Sequence, residues 1–408
     1  MMKSKLFISI MLFLILFIVG AFMMQYLQSS LRGTTMILGV DLYPRWVGTQ
    51  AALHNESPYS TETRQQIWLA IYGSTDAPDG NPFGFYYPPA VITLFMPFVL
   101  MGLPMHLAAV LWCAFLWAAF STALLFWIIN LGHLKNRLVL LPLLLISGWL
   151  FRPAFSNYLL GQFALFSVLA AIAAWLAIRN NLPVWAGIFA ALSLVKPSLT
   201  IVPIALLLID LWRKPRGILA FIGVTLILYL PPTVLIGWWL PDFLADIANY
   251  AQENSVAWSG ADSGTVSGSI WLLTSLGLIV IGMYKKNNML TFGAATALNA
   301  IFIPHSADYD LVAFIPLLIY LGDLWLKKKN GSFFFSALYF GILWTPWLSL
   351  IAMILLNTGG NSVEAWYRFI WLTYPPVILL LSMLTQTPSL QSTIYRISRN
   401  TNIWFFRL

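Results

Sequence analysis

The chain has 408 residues, of which 60% are hydrophobic and only 9% are charged, and its formal net charge is +8. A charged fraction this small cannot cover the surface of a soluble protein of this length, so the composition excludes that class and predicts a polytopic membrane protein. The basic residues form short clusters between apolar segments, a pattern that orients membrane proteins and does not indicate nucleic-acid binding.

The first predicted span covers residues 6–24, directly after Lys3 and Lys5. Its apolar run is longer than the core of a signal peptide, and no small-residue cleavage site follows it. We therefore expect an uncleaved helix whose N-terminus lies in the cytoplasm.

Residues 28–87 form the longest polar loop, which follows the first span. Two helical patterns lie within it, at about 42–54 and 61–72, and Ser60 is a suitable N-cap for the second. The loop is expected on the non-cytoplasmic side, because the N-terminus that precedes the first span is basic.

Residues 85–101 are apolar, but the segment is short and is interrupted by Pro88, Pro89 and Pro97. These features predict a re-entrant or interfacial helix and not a full span. Several of the later predicted spans are also shorter than the roughly 20 residues that a bilayer requires, which is typical of helices that end inside a cavity. All the predicted spans after residue 101, short and long together, are 105–130, 137–151, 162–178, 183–195, 197–212, 217–240, 267–284, 289–303, 310–326, 332–356 and 367–384.

The distribution of charge supports twelve spans with both termini inside. Under this arrangement 16 of the 22 basic residues lie on the cytoplasmic side. Only two of the 14 acidic residues, Asp210 and Asp323, lie on that side. If residues 88–101 crossed the membrane, the orientation of every later helix would reverse. The basic clusters would then lie on the outer face. We therefore predict one all-α membrane domain over residues 1–384 and a cytoplasmic tail over 385–408.

Ionisable residues near the outer ends of these spans are candidates for function. A charge at membrane depth costs about 2.5–3.5 kcal/mol on insertion scales, so it needs a reason to be there. Lys196 lies within the apolar stretch 184–212, although a lysine at a helix end can also reach the interface without a function. Alternatives also stand for three other residues: a helix-end charge for Arg152, a structural histidine for His305 and an N-cap for Asp308.

Asp41 begins the most unusual stretch of the polar loop, and Tyr43, Arg45 and Trp46 follow it within about one helical turn. A carboxylate here could act as a general base, while the neighbouring side chains orient a sugar. The same residue could instead cap the helix at 42–54. The residues alone leave both roles open.

The sequence contains no cluster of metal-ligand residues, no phosphate-binding glycine loop and no nucleophile elbow, so no metal or cofactor is predicted. The single cysteine, Cys113, allows no internal disulfide. The absence of nucleotide-binding motifs argues against a cytosolic enzyme that uses nucleotide sugars.

Taken in order, these motifs resemble the polyprenol-phosphate-mannose-dependent mannosyltransferases of glycosyltransferase family 87, within the GT-C superfamily. The resemblance covers most of residues 1–325, and one departure is Asn55-Glu56 where that family has a glycine before the Pro-Tyr pair. The matching elements are Asp41 with Tyr43, Trp46 and Ala51-Ala52-Leu53, then Pro58-Tyr59, Phe85-Tyr-Tyr-Pro-Pro89, Asn157 with Gly161-Gln162, Lys196-Pro197, and His305 before Asp308-Tyr-Asp-Leu311.

The resemblance implies a GT-C fold of about 12 transmembrane helices, with amphipathic helices in the first outer loop. It also implies an inverting hexosyltransferase of a bacterial plasma membrane, with a polyprenyl-phosphate sugar as donor and a lipid-linked or glycan acceptor. Asp41 would be the base, and Lys196, Arg152 and His305 the cations that stabilise the leaving phosphate. The substrate-binding residues would be Tyr43, Arg45, Trp46, Tyr59, Tyr87, Arg152, Asn157, Gln162, Lys196, His305 and Asp308.

Two other functions are compatible with the sequence. A secondary transporter would also place charges at membrane depth, but it predicts matched halves and does not need a polar loop of this length. A lipid-linked glycan ligase or polymerase would rely on arginine and histidine and leave Asp41 dispensable.

Overall fold

The computed structural model describes residues 2–31, 37–76, 83–131, 140–253, 266–301, 308–326, 333–356 and 362–386. Within these ranges the chain forms seventeen α-helices and one 3-10 helix, and no strand is present. The predicted all-α polytopic membrane fold is therefore confirmed. His305 and residues 387–408 of the predicted tail lie outside the described residues.

The helices follow the apolar runs of the sequence closely. The first nine are α1 (Met2–Ser30), α2 (Leu42–Leu53), α3 (Thr61–Tyr72), α4 (Ala90–Leu100), α5 (Met105–Asn130), α6 (Leu140–Trp149), α7 (Arg152–Leu160), α8 (Phe163–Arg179) and α9 (Pro183–Ser193). The others are α10 (Pro197–Leu211), α11 (Pro215–Ile236), α12 (Leu240–Glu253), α13 (Val266–Tyr284), α14 (Asn288–Ala300), α15 (Ile315–Leu326), α16 (Phe333–Leu355) and α17 (Ser362–Leu384). The 3-10 helix Asp308–Phe314 leads directly into α15.

Each of the twelve predicted spans coincides with a helix, but the helices differ in length. Within the described ranges, five are long and apolar enough to cross a membrane, and the pair α7 and α8, bent by 115°, makes a sixth if it counts as one span. Shorter apolar segments of 10–17 residues lie in α4, α9, α10, α13 and α17, as the sequence indicated for several of them. The five long segments are Phe7–Ser30, Met105–Asn130, Pro215–Ile236, Asp308–Leu326 and Ser336–Leu355.

Two segments that the sequence suggested as loops are helical. Residues 151–162 contain α7, since Pro153 at the start and Gly161 at the end provide the usual boundaries of a helix. Residues 241–266 begin with α12, which places Phe243 and Asp246 on its inner side. Asp246 accepts a hydrogen bond from Arg64 of α3 at 2.6 Å, so its charge is paired.

The chain divides into two compact units. The first comprises Met1–Thr122 and Ser156–Ala257, and the second comprises Ala123–Phe155 and Trp258–Leu408. In the first unit α2 is buried on nearly all sides, with Leu42 and Trp46 in the same core cluster as Val91 and Phe163. The head of the polar loop is therefore part of the core of this unit.

A hydrogen bond between α4 and α11 compensates for a proline. Pro232 has no N–H to donate to the carbonyl of Leu228, one helical turn earlier. The hydroxyl of Thr93 donates to that carbonyl oxygen at 2.6 Å instead. The short helix α4 is thereby fixed against α11 at the point where Pro232 interrupts the backbone hydrogen bonds of α11.

Candidate active site around Asp41

Asp41 lies directly before α2, at the position of an N-cap, but its side chain makes no capping hydrogen bond. Its backbone is already helical, with φ −73° and ψ −8°, whereas a capping residue is normally extended. The carboxylate is half-buried and its Oδ2 accepts a hydrogen bond from Nε2 of Gln162 at 2.7 Å. The geometry therefore favours a role other than capping for Asp41.

Two glycines bring Asp41 and Gln162 together. Gly39 and Gly161 both have positive φ, +67° and +75°, a region that residues with a side chain rarely adopt. A Cβ on Gly161 would lie 3.3 Å from the Cα of Gly39, so the two backbones are in close contact. The N–H groups of Gly39 and Asp41 donate to the carbonyls of Leu159 and Leu160, at 2.7 and 3.1 Å.

Arg45 organises the inner side of this contact. Its side chain is fully buried, and its guanidinium donates to the carbonyl of Gly161 at 2.7 Å and to Oε1 of Gln162 and Oη of Tyr87 at 2.8 Å each. The guanidinium carbon lies 4.2 Å from the ring centre of Tyr87 and 4.8 Å from that of Phe163. A buried arginine needs this many acceptors, because a charge left without partners in the core would be strongly destabilising.

The donor-only chemistry of arginine determines how Gln162 is oriented. Because the guanidinium cannot accept a hydrogen bond, the amide must turn its oxygen toward Arg45 and its NH₂ group toward Asp41. Arg45 therefore acts on Asp41 through Gln162. It is a positioning residue in this structure, and its burial prevents it from contacting a sugar directly.

Asn157 leaves the side chain of Gln162 available for Asp41. Gln162 occupies the N-cap position of α8 but makes no side-chain capping bond. Oδ1 of the buried Asn157 accepts the N–H of Leu165 instead, at 2.8 Å, and so caps α8 from the preceding helix. Asn157 is thus placed to stabilise the bend between α7 and α8.

The aromatic residues near Asp41 are packed in the core of the loop. Tyr43, Trp46 and Tyr59 are each less than a tenth exposed, and the ring of Trp46 meets that of Phe95 edge to face. Burial raises the pKa of the Tyr43 hydroxyl. The hydroxyl of Tyr59 donates to the carbonyl of Tyr87 at 2.9 Å. In this structure these side chains hold the loop together, and no broad face of the Trp46 ring is presented to a sugar.

Lys196 lies in the turn between α9 and α10, directly before Pro197, and is partly exposed. Its neighbour Val195 is buried in the cluster that contains Leu42 and Trp46, so this turn packs on the same core as α2. The hydroxyl of Thr200 donates to the carbonyls of Ser193 and Lys196 and closes the turn. Lys196 thus lies between two short helices, as the predicted spans 183–195 and 197–212 implied, while its role toward the donor phosphate stays a prediction.

Arg152 and Asp308 form an ion pair in the second unit. Nε of Arg152 donates to Oδ2 of Asp308 at 2.7 Å, and the carboxylate is 2% exposed. Asp308 also begins the 3-10 helix that leads into α15. The ion pair explains how this carboxylate is tolerated in the interior, since a carboxylate this buried requires a cation.

The sequence did not single out Gly39, Trp112 or Phe163. The indole N–H of Trp112 donates to the carbonyl of Gly161 at 3.0 Å, beside Arg45. A tryptophan within the apolar run of α5 carries no sequence signal for such a bond. Gly39, two residues before Asp41, is the one residue of the three that could have been noticed, since a glycine before a polar segment suggests an unusual backbone. Among the described residues, no group of three or more histidine, cysteine or acidic side chains could hold a metal ion.

Comparison with known proteins agrees with these observations. The model of glycosyltransferase family 87 matches residues 85–326, more than half of the chain. The chain belongs to glycosyltransferase family 87. No curated protein and no solved structure matches it. Gln162 and Lys196 of this family 87 protein lie within the matched segment, whereas Asp41 precedes it.

Proposed function

We propose that this glycosyltransferase is an inverting enzyme that uses Asp41 as its general base. The acceptor hydroxyl attacks the anomeric carbon of the sugar as Asp41 takes its proton. The bond from that carbon to the phosphate oxygen breaks, and the phosphate leaves with the electron pair. A single displacement of this kind inverts the anomeric centre.

The observation that carries the proposal is the hydrogen bond between Gln162 and Asp41. The amide fixes one carboxylate oxygen at 2.7 Å without itself adding a charge, so the carboxylate is oriented by a neutral group. Behind it, Arg45 fixes the amide. A base that must be aligned with one acceptor hydroxyl benefits from this kind of preorganisation.

The proposed donor is a polyprenyl-phosphate sugar, with mannose as the sugar, and the acceptor is a glycan or glycolipid at the non-cytoplasmic face. Membrane helices and family membership support a lipid-bound donor. The resemblance to mannosyltransferases supports mannose. Lys196 is the proposed cation for the leaving phosphate in the first unit, because it stands at a turn between two short helices on the core that also holds α2.

The decisive experiment is a transfer assay in membranes with a synthetic polyprenyl-phosphate mannose, in which wild type is compared with Asp41→Asn. The asparagine preserves shape and hydrogen bonding but cannot take a proton, so we expect activity to fall by about 10²–10⁴-fold. Asp76→Asn is the matched control, since Asp76 is an exposed carboxylate of the same loop. Near-normal transfer by Asp41→Asn at normal abundance would refute the base and favour the ligase chemistry.

The donor is tested by a second pair of measurements. Replacing mannose by glucose in the synthetic donor shows whether the sugar is mannose. Lys196→Met removes the ammonium but retains much of the length of the side chain, and we expect it to raise the KM for the donor. An unchanged donor KM would exclude Lys196 from phosphate binding.

A further inference from the structure

Helix α12 packs one face against the polar loop within the first unit. Its more buried side chains recur at i, i+3, i+4 and i+7, whereas Asp242, Ala245 and Asn249 on the other face are exposed. The more buried side chains are Phe243, Asp246, Ile247 and Tyr250. This amphipathic helix therefore has a defined contact surface on the loop that carries the proposed base.

Two contacts join the second half of α12 to the loop. Arg64 of α3 forms the ion pair with Asp246, and one turn later the ring centre of Tyr250 lies 4.1 Å from that of Tyr86. The guanidinium carbon of Arg64 also lies 5.8 Å from the centre of the Tyr86 ring. The ring is confined by its own chain as well, since a Cβ on Gly84 would lie 2.6 Å from it. Tyr86 is therefore held between α12 and its own backbone.

The next residue, Tyr87, contacts the buried Arg45. Its hydroxyl accepts a hydrogen bond from Nη2 of Arg45 at 2.8 Å, and the guanidinium carbon lies 4.2 Å from the centre of its ring. The carbonyl of Tyr87 accepts the hydroxyl of Tyr59 at 2.9 Å, and the ring centre of Tyr59 lies 6.1 Å from that of Phe243 in α12. Helix α12 thus reaches Tyr87 by two routes, through the neighbouring Tyr86 and through Tyr59.

The backbone around Tyr86 and Tyr87 has little freedom. Two prolines follow Tyr87; their rings fix φ, and a proline also disfavours helical backbone in the residue before it. On the other side, the ring of Phe85 is packed so closely against α2 that a Cβ on Gly48 would overlap it. A displacement of Tyr86 therefore moves Tyr87 as well, because the flanking residues cannot absorb the change.

We propose that Tyr250 of α12 is a positioning residue for catalysis, which sets the place of Tyr87 and through it that of Arg45. The inference rests on the proposed function, because the guanidinium of Arg45 orients the amide that holds Asp41. Tyr250 acts on the base and not on the donor. Loss of its ring should therefore lower kcat and leave the KM for the donor nearly unchanged.

The test is a double-mutant cycle on kcat, measured with the purified full-length protein and the synthetic polyprenyl-phosphate mannose. Tyr250→Ala removes the stacked ring, and we expect kcat to fall about ten- to a hundredfold, whereas Tyr250→Phe should retain most of the activity. Tyr87→Phe removes the hydroxyl that accepts from Arg45. If α12 acts through Tyr87, the double variant Tyr250→Ala/Tyr87→Phe should lose much less than the product of the two single losses. Losses that multiply independently would overturn the proposal.

Asn249→Ala is the matched control, because Asn249 directly precedes Tyr250 on α12 and is exposed. Its kcat should equal that of wild type, and a loss as large as that of Tyr250→Ala would contradict a specific role of the stacked ring. The cycle depends on transfer activity and not on the identity of the base. It therefore remains readable if Asp41→Asn proves active and the proposed base is refuted.

Cross-linking distinguishes a positioning helix from one that must open during turnover. In the variant Tyr86→Cys/Tyr250→Cys two thiols replace the stacked rings, and a short bifunctional maleimide joins them while the native Cys113 is buried. We expect the fully cross-linked protein to have a higher kcat than the unmodified double variant, because the link restores the connection between α12 and the loop. A kcat that is unchanged or lower after cross-linking would overturn the proposal, and complete loss of transfer would show that α12 has to move.

Discussion

Gln162 donates a hydrogen bond to Asp41 across 121 residues of sequence. The amide is oriented in turn by Arg45, which is fully buried beneath it. The carboxylate proposed as the base is therefore held by a relay of two side chains, and the contact of Gly39 with Gly161 fixes the backbone below it. A substitution in any part of this relay should therefore reduce the catalytic rate more than it reduces the stability of the fold.

Gln162→Glu tests the relay through pH. A second carboxylate beside Asp41 would raise the pKa of Asp41, since two like charges disfavour each other. More of the base would then be protonated at a given low pH, so the acid limb of the pH profile of kcat/KM should move to higher pH. The profile is measured with the synthetic donor from about pH 5 to 9. An acid limb that stays in place would show that Gln162 does not act on the base.

Gly161→Ala tests the backbone contact. The new Cβ would meet the Cα of Gly39 at 3.3 Å, in addition to the cost of positive φ. Gly102→Ala is the control, because Gly102 has φ +66° but no atom within 4 Å of the added Cβ. Both variants should lose about 1–2 kcal/mol of stability from the backbone, but only Gly161→Ala should also lose transfer activity. Equal activity in the two variants would contradict the importance of the contact.

Thr93→Val tests the compensation for Pro232. The variant leaves the carbonyl of Leu228 without its donor, and we expect a loss of about 1–3 kcal/mol in stability. Pro232→Ala restores an N–H one turn after Leu228, so the cost of Thr93→Val should be smaller in that background. Thermal unfolding of the four proteins in detergent forms a double-mutant cycle. A coupling energy of zero would show that the two residues are independent.

Cysteine labelling tests the topology. Thr75→Cys and Lys286→Cys each place a thiol at an exposed position, and the native Cys113 is buried and should react little. A membrane-impermeant reagent added from outside intact cells should label position 75 and spare position 286. The reverse pattern would invert the predicted orientation, including the side on which Asp41 lies.

Much of the fold could be predicted from the sequence, because apolar runs and prolines mark where membrane helices begin and end. The segments 105–130 and 61–72 were predicted with their observed limits. Helices α7 and α12 were missed, since their polar residues suggested loops. Those residues are compatible with a helix because they have partners far away in the sequence, such as Arg64 for Asp246.

The candidate site was predicted less completely. Asp41, Arg45 and Gln162 were all named, and family membership confirms the class of enzyme. The sequence suggested that Arg45 would help to orient a sugar, because it follows Asp41 within about one helical turn. Its burial depends on acceptors at positions 87, 161 and 162, and no local pattern reveals contacts over such distances.

The position of Arg45 has a consequence for how the protein is made. Its acceptors at Gly161 and Gln162 lie 116 and 117 residues further along the chain. At about 5–20 residues per second, the ribosome adds them on the order of ten seconds after Arg45. During that interval water must solvate the guanidinium, so the loop that carries Asp41 can close only after α7 and α8 have been synthesised and inserted.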